Sequence, residues 1–169
     1  MQAIGKTDRS RAGRGTHQAA EYRARLDRVR SARSDWSDLS YASIYSFGGT
    51  TLGVESPING NSIVQVLESL NLRPLPEADD VAREGRRFFE LSFEELRRVD
   101  ADVVLWFKDG TDLTTLANWS SLGPSEAGQA HSYPAFGASS YPTFNRALDF
   151  LEPILIEADS DIIDESSWS

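Results

Sequence analysis

The sequence of 169 residues contains no cysteine and only two histidines, His17 and His131. The absence of cysteine excludes thiol nucleophiles, zinc fingers and iron–sulfur clusters, and two histidines are too few for a histidine-rich metal site. No apolar run approaches the roughly 18 residues of a membrane-spanning helix, and no signal-peptide pattern precedes the polar residues 6–14. We therefore expect no resident metal and no cofactor.

Charge is distributed unevenly along the chain. Residues 1–34 carry a net charge of +6 and the remaining residues carry −15, which together give the net charge of −9. The basic lead alone would suggest a nucleic-acid partner, but the acidic body argues against one. With 40% hydrophobic and 25% charged residues, the composition is typical of one globular domain whose charges lie on a solvated surface.

Hydrophobic spacing predicts an alternation of strands and helices. Tyr22, Leu26 and Val29 lie on one face of a helix that should begin near residue 16, and residues 41–47 (YASIYSF) are typical of a strand. The continuous apolar run in residues 102–107 (DVVLWF) is typical of a strand that helices bury on both faces. Further helices are predicted after a cap at Asn59 or Asn61, from residue 93, over residues 111–122 and over residues 142–156. A weak strand is predicted at 130–133, and loops at 48–59 and 76–87.

This order of elements predicts an α/β fold: a three-layer, Rossmann-like lobe with a small, mostly parallel sheet flanked by helices. We expect a disordered basic lead over residues 1–15, a single lobe over residues 16–156 and a flexible acidic tail over residues 157–169.

A glycine-rich loop at residues 48–53 follows the first predicted strand and could hold a phosphate. It lacks both the G-x-G-x-x-G spacing and the lysine of a Walker loop, so a sharp exit from the strand is the simpler interpretation. No G-x-S-x-G motif is present, and His131 has no acid–base partner in its pattern. We expect no enzymatic activity, with a nucleotide-binding or hydrolytic enzyme as a minor alternative.

Aromatic residues cluster where the predicted strands end. Phe47, the pair Trp106 and Phe107, and the loop of residues 133–137 (YPAFG) follow three strands. Each ring alone is most simply a core residue. Open α/β sheets bind ligands at the carboxyl ends of their strands, so together these rings predict a platform for an organic ligand.

Six motifs in order resemble the C-terminal lobe of the class III substrate-binding proteins of bacterial ABC importers, the group that captures ferric siderophores, haem and cobalamin. They are residues 22–29 (YRARLDRV), 41–49 (YASIYSFGG), 60–72 (GNSIVQVLESLNL), 90–105, 119–133 and 140–155. Asn71 stands where that family has a glycine, and asparagine tolerates the same left-handed turn. The resemblance covers residues 16–156.

The resemblance implies non-catalytic capture of an iron–siderophore chelate, ahead of haem or cobalamin, in a cleft between two lobes. The positions that match the family's aromatic ligand contacts are Phe47, Trp106, Phe107, Tyr133, Phe136 and Tyr141. An ABC permease is the implied partner, docked in that family by a surface carboxylate whose expected place holds residues 59–61. Glu55 and Glu68 are the nearest substitutes. The acidic body favours a neutral hydroxamate over a strongly anionic chelate.

The family has an N-terminal lobe of similar size, for which 169 residues leave no room. Either that lobe or a second copy of the chain would cover the cleft face. The alternative hypothesis is a truncated lobe that has lost ligand capture and acts as a self-associating structural protein. The family implies an extracytoplasmic location, periplasmic or lipid-anchored, if a leader was removed, and a cytoplasmic one if Met1 is the true start.

Overall fold

The computed structural model describes residues 7–46, 48–108, 111–160 and 162–163, with side chains from residue 15 onward. The helices are α1 (Thr7–Arg30), α2 (Ser62–Leu70), α3 (Pro76–Arg83), α4 (Gly123–Glu126) and α5 (Tyr141–Glu157). The strands are β1 (Ser40–Tyr45), β2 (Thr51–Glu55), β3 (Arg73–Pro74), β4 (Phe88–Ser92), β5 (Val103–Phe107) and β6 (Ala130–Tyr133).

The strands form one sheet in the order β4-β2-β1-β5-β6, and the short β3 pairs with the start of β1. The pairs β1–β5, β5–β6 and β1–β3 are parallel, whereas β2 pairs antiparallel with both β1 and β4. The predicted α/β class with a mostly parallel sheet is confirmed. The parallel strands β1, β5 and β6 therefore bring their carboxyl ends to one edge of the sheet.

Two hydrophobic cores lie on the two faces of the sheet. One is formed by α1, α2 and α5 against Tyr41, Val103 and Leu105 of the sheet. The other is formed by α3 and the segments after β4 and β5, packed against Ile44, Val104 and other sheet residues. Successive residues of β5 thus enter opposite cores, because side chains alternate between the faces of a strand. This confirms the predicted strand that is buried on both faces.

Several predicted boundaries and elements are corrected. The first helix begins at Thr7, so the residues from 7 onward in the expected disordered lead are helical; residues 1–6 lie outside the described part. The segments predicted as loops contain β2 and α3. The helix predicted over residues 111–122 is replaced by two 3₁₀ turns, Leu113–Thr115 and Trp119–Ser121, followed by α4.

Two predicted helix ends are confirmed. Ser92 and Glu95 form a capping box at the start of the 3₁₀ helix Phe93–Val99, in which the Glu95 carboxylate accepts from the Ser92 backbone N–H. Asn71 ends α2 in the left-handed region with φ 74°. An asparagine can replace glycine there because its short polar side chain tolerates this conformation.

The chain after α5 is held against the body of the lobe. Gln129 donates from its side-chain amide to the Asp159 carbonyl and accepts from the Asp159 backbone N–H, and Ala158 is buried. The tail that was expected to be flexible from residue 157 is therefore fixed through Asp159. Among the described residues, no helix combines the length and the apolar character that crossing a membrane requires.

Candidate functional site

A cleft opens at the sheet edge where β1, β5 and β6 end. It consists of two adjoining depressions of about 370 and 330 Å³. Both are lined by Glu55, Asn59, Asn61, Phe107 and Tyr133. Cavities of this size suit a small organic molecule. The cleft therefore lies at the edge of the sheet that the aromatic pattern predicted.

Two pairs of aromatic rings line the walls of the cleft. The ring centroids of Phe107 and Tyr133 are 5.7 Å apart, and those of Tyr45 and Phe88 are 6.2 Å apart in an edge-to-face arrangement. Phe88 at the start of β4 is 44% exposed, although large apolar side chains are usually buried. The cleft thus offers rigid apolar contact area to a ligand.

The floor of the cleft is a hydrogen-bonded network around the Glu55 carboxylate, which is only 6% exposed. Oε2 of Glu55 accepts from Ser43 Oγ at 2.5 Å and from the Tyr133 hydroxyl at 3.3 Å. The Asn61 side-chain amide donates to both carboxylate oxygens, at 3.1 and 3.0 Å. Glu55 thus accepts only from neutral groups.

Local structure explains how Asn61 reaches this network. Asn61 is the N-cap of α2, and its Oδ1 accepts from the backbone N–H of Ile63 at 2.9 Å. That bond satisfies a free donor of the first helical turn and fixes the side chain. The amide nitrogen then points away from the helix, toward Glu55 and the Tyr133 hydroxyl.

Burial controls the electrostatics of the floor. Loss of solvent raises the pKa of Glu55, and hydrogen bonds from Ser43, Asn61 and Tyr133 partly oppose that rise. Burial, together with the nearby charge of Glu55, also raises the pKa of Tyr133, so its hydroxyl keeps its proton. In the described part of the chain, no basic side chain forms an ion pair with Glu55.

Of the aromatic residues predicted as ligand contacts, Phe107, Tyr133 and Phe136 line the cleft. Phe136 lines the second depression and packs on Phe150, with ring centroids 6.0 Å apart. Phe47 lies outside the described residues. Contact of any of these rings with a ligand stays a prediction.

Two predicted contact residues lie away from the cleft. Trp106 is 7% exposed and packs edge-to-face on Trp119 in the core on the opposite face of the sheet. Of the adjacent pair it is therefore Phe107 that faces the cleft, since neighbours on a strand point to opposite faces. Tyr141 opens α5 and packs against Tyr22 and Phe144, so α1 and not the cleft surrounds it.

The carboxylates suggested for permease docking are placed differently from each other. Glu55 is buried in the floor of the cleft and does not present its charge on the outer surface. Glu68 is exposed on α2, with Oε1 accepting from the Tyr41 hydroxyl at 2.7 Å. Only Glu68 thus has the exposure that docking to a basic pocket requires.

The glycine-rich segment is a hairpin and not a phosphate loop. Gly48 and Gly49 both have positive φ, 104° and 85°, in the turn between β1 and β2. Such positive φ values lie in a region that glycine adopts without the steric cost of a side chain. The segment leads into β2, and so offers no helix N-terminus to a phosphate.

Sequence reasoning missed three residues of the cleft: Tyr45, Arg87 and Phe88. Arg87 and Phe88 were missed because β4, at whose start they lie, was not predicted, whereas Tyr45 lies on the predicted strand β1 but was not identified as a cleft residue. Gly53 of β2 pairs with Tyr45, and a side chain at that position would overlap the Tyr45 ring. The glycine pair before β2 and the alternating burial of β4 were the signals that could have identified these strands.

No protein-family model matches the sequence, and no curated protein is significantly similar to it. Solved structures do match. The siderophore periplasmic binding protein from the fuscachelin gene cluster of Thermobifida fusca superimposes with a TM-score of 0.72 at 23% identity, over 86% of this chain and 55% of that one. The chain has the fold of one half of a siderophore periplasmic binding protein.

Two further structures agree. A FhuD fold-family component of a ferrichrome ABC transporter from Bacillus subtilis gives a TM-score of 0.73 at 14% identity, over 84% of this chain and 55% of that one. FhuD2 from Staphylococcus aureus, with bound ferrioxamine B, superimposes with a TM-score of 0.67 at 16% identity, over 90% of this chain and 60% of that one. The chain spans little more than half the length of these proteins.

The chemistry of the cleft suits reversible binding. Within the described ranges, no three histidine, aspartate or glutamate side chains lie close enough together to hold a metal ion. His131 is half-buried, with a pKa lowered by loss of solvent, and lines a separate groove beside α5. The cleft itself offers aromatic rings, amides, hydroxyls, the Glu55 carboxylate and, at its rim, the Arg87 guanidinium. This set can hold an organic molecule by packing and hydrogen bonds.

Proposed function

We propose that this chain is the ligand-binding C-terminal lobe of a ferric siderophore receptor that serves an ABC importer. The observation that carries the proposal is the aromatic cleft at the carboxyl edge of the sheet, in a fold shared with half of several siderophore-binding proteins. The resemblance of residues 16–156 to C-terminal lobes of that family supports the same half. The role is capture and release, with no chemical step.

The lining of the cleft is complementary to a bulky chelate. The rings of Phe107, Tyr133 and Phe88 give large contact area at small entropic cost. Arg87 lies at the rim with an exposed side chain, and its guanidinium forms no bond with any residue in the described ranges. A planar guanidinium is well suited to donate to the oxygen ligands of a ferric hydroxamate.

The remaining partners follow from the same proposal. The matched structures are about twice as long as the aligned region, so a second lobe would close the cleft from the opposite side. A permease would dock on the outer surface, where Glu68 is the exposed one of the two candidate docking carboxylates. Such a receptor works outside the cytoplasm, either periplasmic or anchored at the cell surface.

Titration of tryptophan fluorescence tests the proposal directly. The protein is titrated with a ferric hydroxamate, a ferric catecholate, haem and cobalamin, with free tryptophan as the control for the inner-filter effect. We expect saturable quenching by the hydroxamate, since Trp106 adjoins Phe107 of the cleft. The absence of saturable quenching with all four compounds would contradict ligand capture by this chain.

Self-association through the cleft face is the second candidate function, favoured by the exposure of Phe88 beside the cleft and Ile58 in the turn before α2. Large apolar side chains exposed on a surface are a feature of interfaces. Sedimentation equilibrium over a wide concentration range separates the two functions. A monomer throughout that range would contradict the second candidate, whereas a dimer that dissociates on Phe88→Asp substitution would support it.

A further inference from the structure

The Glu55 carboxylate is buried at the floor of the cleft, and among the described lining residues only Arg87, at the rim, is basic. Its bonds come from Ser43, Asn61 and Tyr133, and all of them are donated by uncharged groups. Burying an ionised carboxylate is costly unless a positive charge compensates it. The one basic residue of the cleft, Arg87, lies at the rim and makes no bond to Glu55.

The network nevertheless favours the ionised form of Glu55. Every hydrogen bond that reaches its oxygens is donated by a hydroxyl or an amide N–H, and donation to a carboxylate stabilises the charged state. The side chain is also held in place, because Asn61 is fixed as the cap of α2. The floor thus positions a carboxylate whose hydrogen bonds favour its ionised form against the effect of burial, and which forms no ion pair within the described ranges.

The walls above this anion are suited to a cation as well. Tyr45, Phe88, Phe107 and Tyr133 line the same depression as Glu55. Aromatic rings attract ammonium and guanidinium groups through their negative faces, most strongly where water is excluded. A carboxylate below and four rings around it form a site whose chemistry matches one positively charged group.

We propose that the cleft selects a chelate that carries a cationic group, an ammonium or a guanidinium, and that this group binds Glu55. The inference rests on the proposed function and narrows its ligand class. The iron centre of the chelate would remain near the rim, where Arg87 donates to its oxygen ligands. The ligand would then be a basic hydroxamate in preference to a neutral or anionic one.

Two chelates that differ only in charge test this inference. Ferric ferrioxamine B carries a free primary amine, which is protonated at neutral pH, and acetylation of that amine gives a neutral chelate of nearly the same shape. We expect the protein to bind the amine form at least about tenfold more tightly, the effect of one charge-assisted bond in a dry site. Equal affinities for the two would overturn the inference while leaving the proposed function intact. Binding of neither would overturn the inference, and it would overturn the proposed function as well if the catecholate, haem and cobalamin also fail to bind.

Matched variants locate the effect at Glu55. Glu55→Gln keeps the size of the side chain and should reduce the preference for the amine form to less than about threefold, while binding of the acetylated form shows that the cleft is intact. Glu94→Gln makes the same change in net charge at an exposed position of the 3₁₀ helix and should preserve the preference. A preference that persists in Glu55→Gln, or disappears in Glu94→Gln, would overturn the assignment. The comparison of the two chelates on the unmodified protein does not depend on the folding of either variant.

Discussion

The Tyr133 hydroxyl lies 3.3 Å from Oε2 of Glu55 and 3.1 Å from Nδ2 of Asn61, so one phenol joins the last strand of the sheet to the second strand and to the cap of α2. Tyr133 is more than 70 residues from both partners in the sequence and meets them only in the folded lobe. The relationship explains why the floor of the cleft is buried and still polar. Removal of the Tyr133 hydroxyl therefore tests how much this hydrogen-bonded network contributes to stability.

Tyr133→Phe should lower the free energy of unfolding by about 1 kcal/mol, because it leaves buried polar partners without one of their hydrogen bonds. Urea denaturation measures this change. Tyr141→Phe is the control, since its ring packs against Tyr22 and its hydroxyl bonds to no residue in the described part of the chain. Equal effects of the two substitutions would show that the Tyr133 hydroxyl contributes nothing to the floor.

The pH dependence of stability should report on Glu55. Burial raises its pKa in the folded protein above the ordinary 4.5, so the native state holds this proton more tightly than the unfolded state. The resulting stabilisation is complete below 4.5 and is lost as the pH rises through the folded pKa. The free energy of unfolding of the wild type, taken relative to Glu55→Gln, should therefore fall as the pH rises above 4.5.

Urea midpoints measured for both proteins from about pH 4 to about pH 8 test this dependence. Glu94→Gln serves as the control for an exposed carboxylate and should track the wild type across the range. The prediction would be contradicted if the free energy of unfolding of the wild type, taken relative to Glu55→Gln, rises with pH. Burial would then not disfavour the ionised form of Glu55.

The strongly periodic elements could be predicted from the sequence. The buried faces of α1, α2 and α5 and the apolar strand β5 each carry a local pattern that only one structure satisfies. The antiparallel strands β2 and β4 could not, because neither has the continuous apolar run of β5 and β2 contains Gly53, which has low strand propensity. Their pairing with β1 and with each other stabilises them, and that pairing is a tertiary effect.

The sequence predicted the position of the cleft at the sheet edge, but only some of the residues that line it. Aromatic residues at strand ends indicated the correct edge, and Phe107 and Tyr133 are there. A strand buried on both faces carries no local signal for which of Trp106 and Phe107 faces the cleft. Glu55 was proposed only as a substitute for the family's surface docking carboxylate, whereas its buried place depends on Ser43 and Asn61 from other elements.

Gly53→Ala should destabilise the lobe by about 1–3 kcal/mol, because the new methyl group would overlap the Tyr45 ring and overpack the hairpin. The near-ultraviolet circular dichroism of the tyrosines should change with it, since the Tyr45 ring must move. Gly15→Ala is the matched substitution in α1, where the methyl group meets no atom within 4 Å. It should stabilise the protein by up to about 1 kcal/mol. Equal effects at both positions would contradict the close approach of Tyr45 to Gly53.

The central claim is that the cleft binds a ferric hydroxamate, and the affinity of Phe107→Ala tests it most directly. Phe107 lines both depressions, whereas Phe93 is similarly half-buried but packs against the core on the opposite face of the sheet. In the fluorescence titration, Phe107→Ala should weaken binding of the ferric hydroxamate by about tenfold or more, and Phe93→Ala should leave the dissociation constant within about threefold of the wild type. Unchanged affinity in Phe107→Ala, or the same loss in both variants, would contradict ligand capture at this cleft.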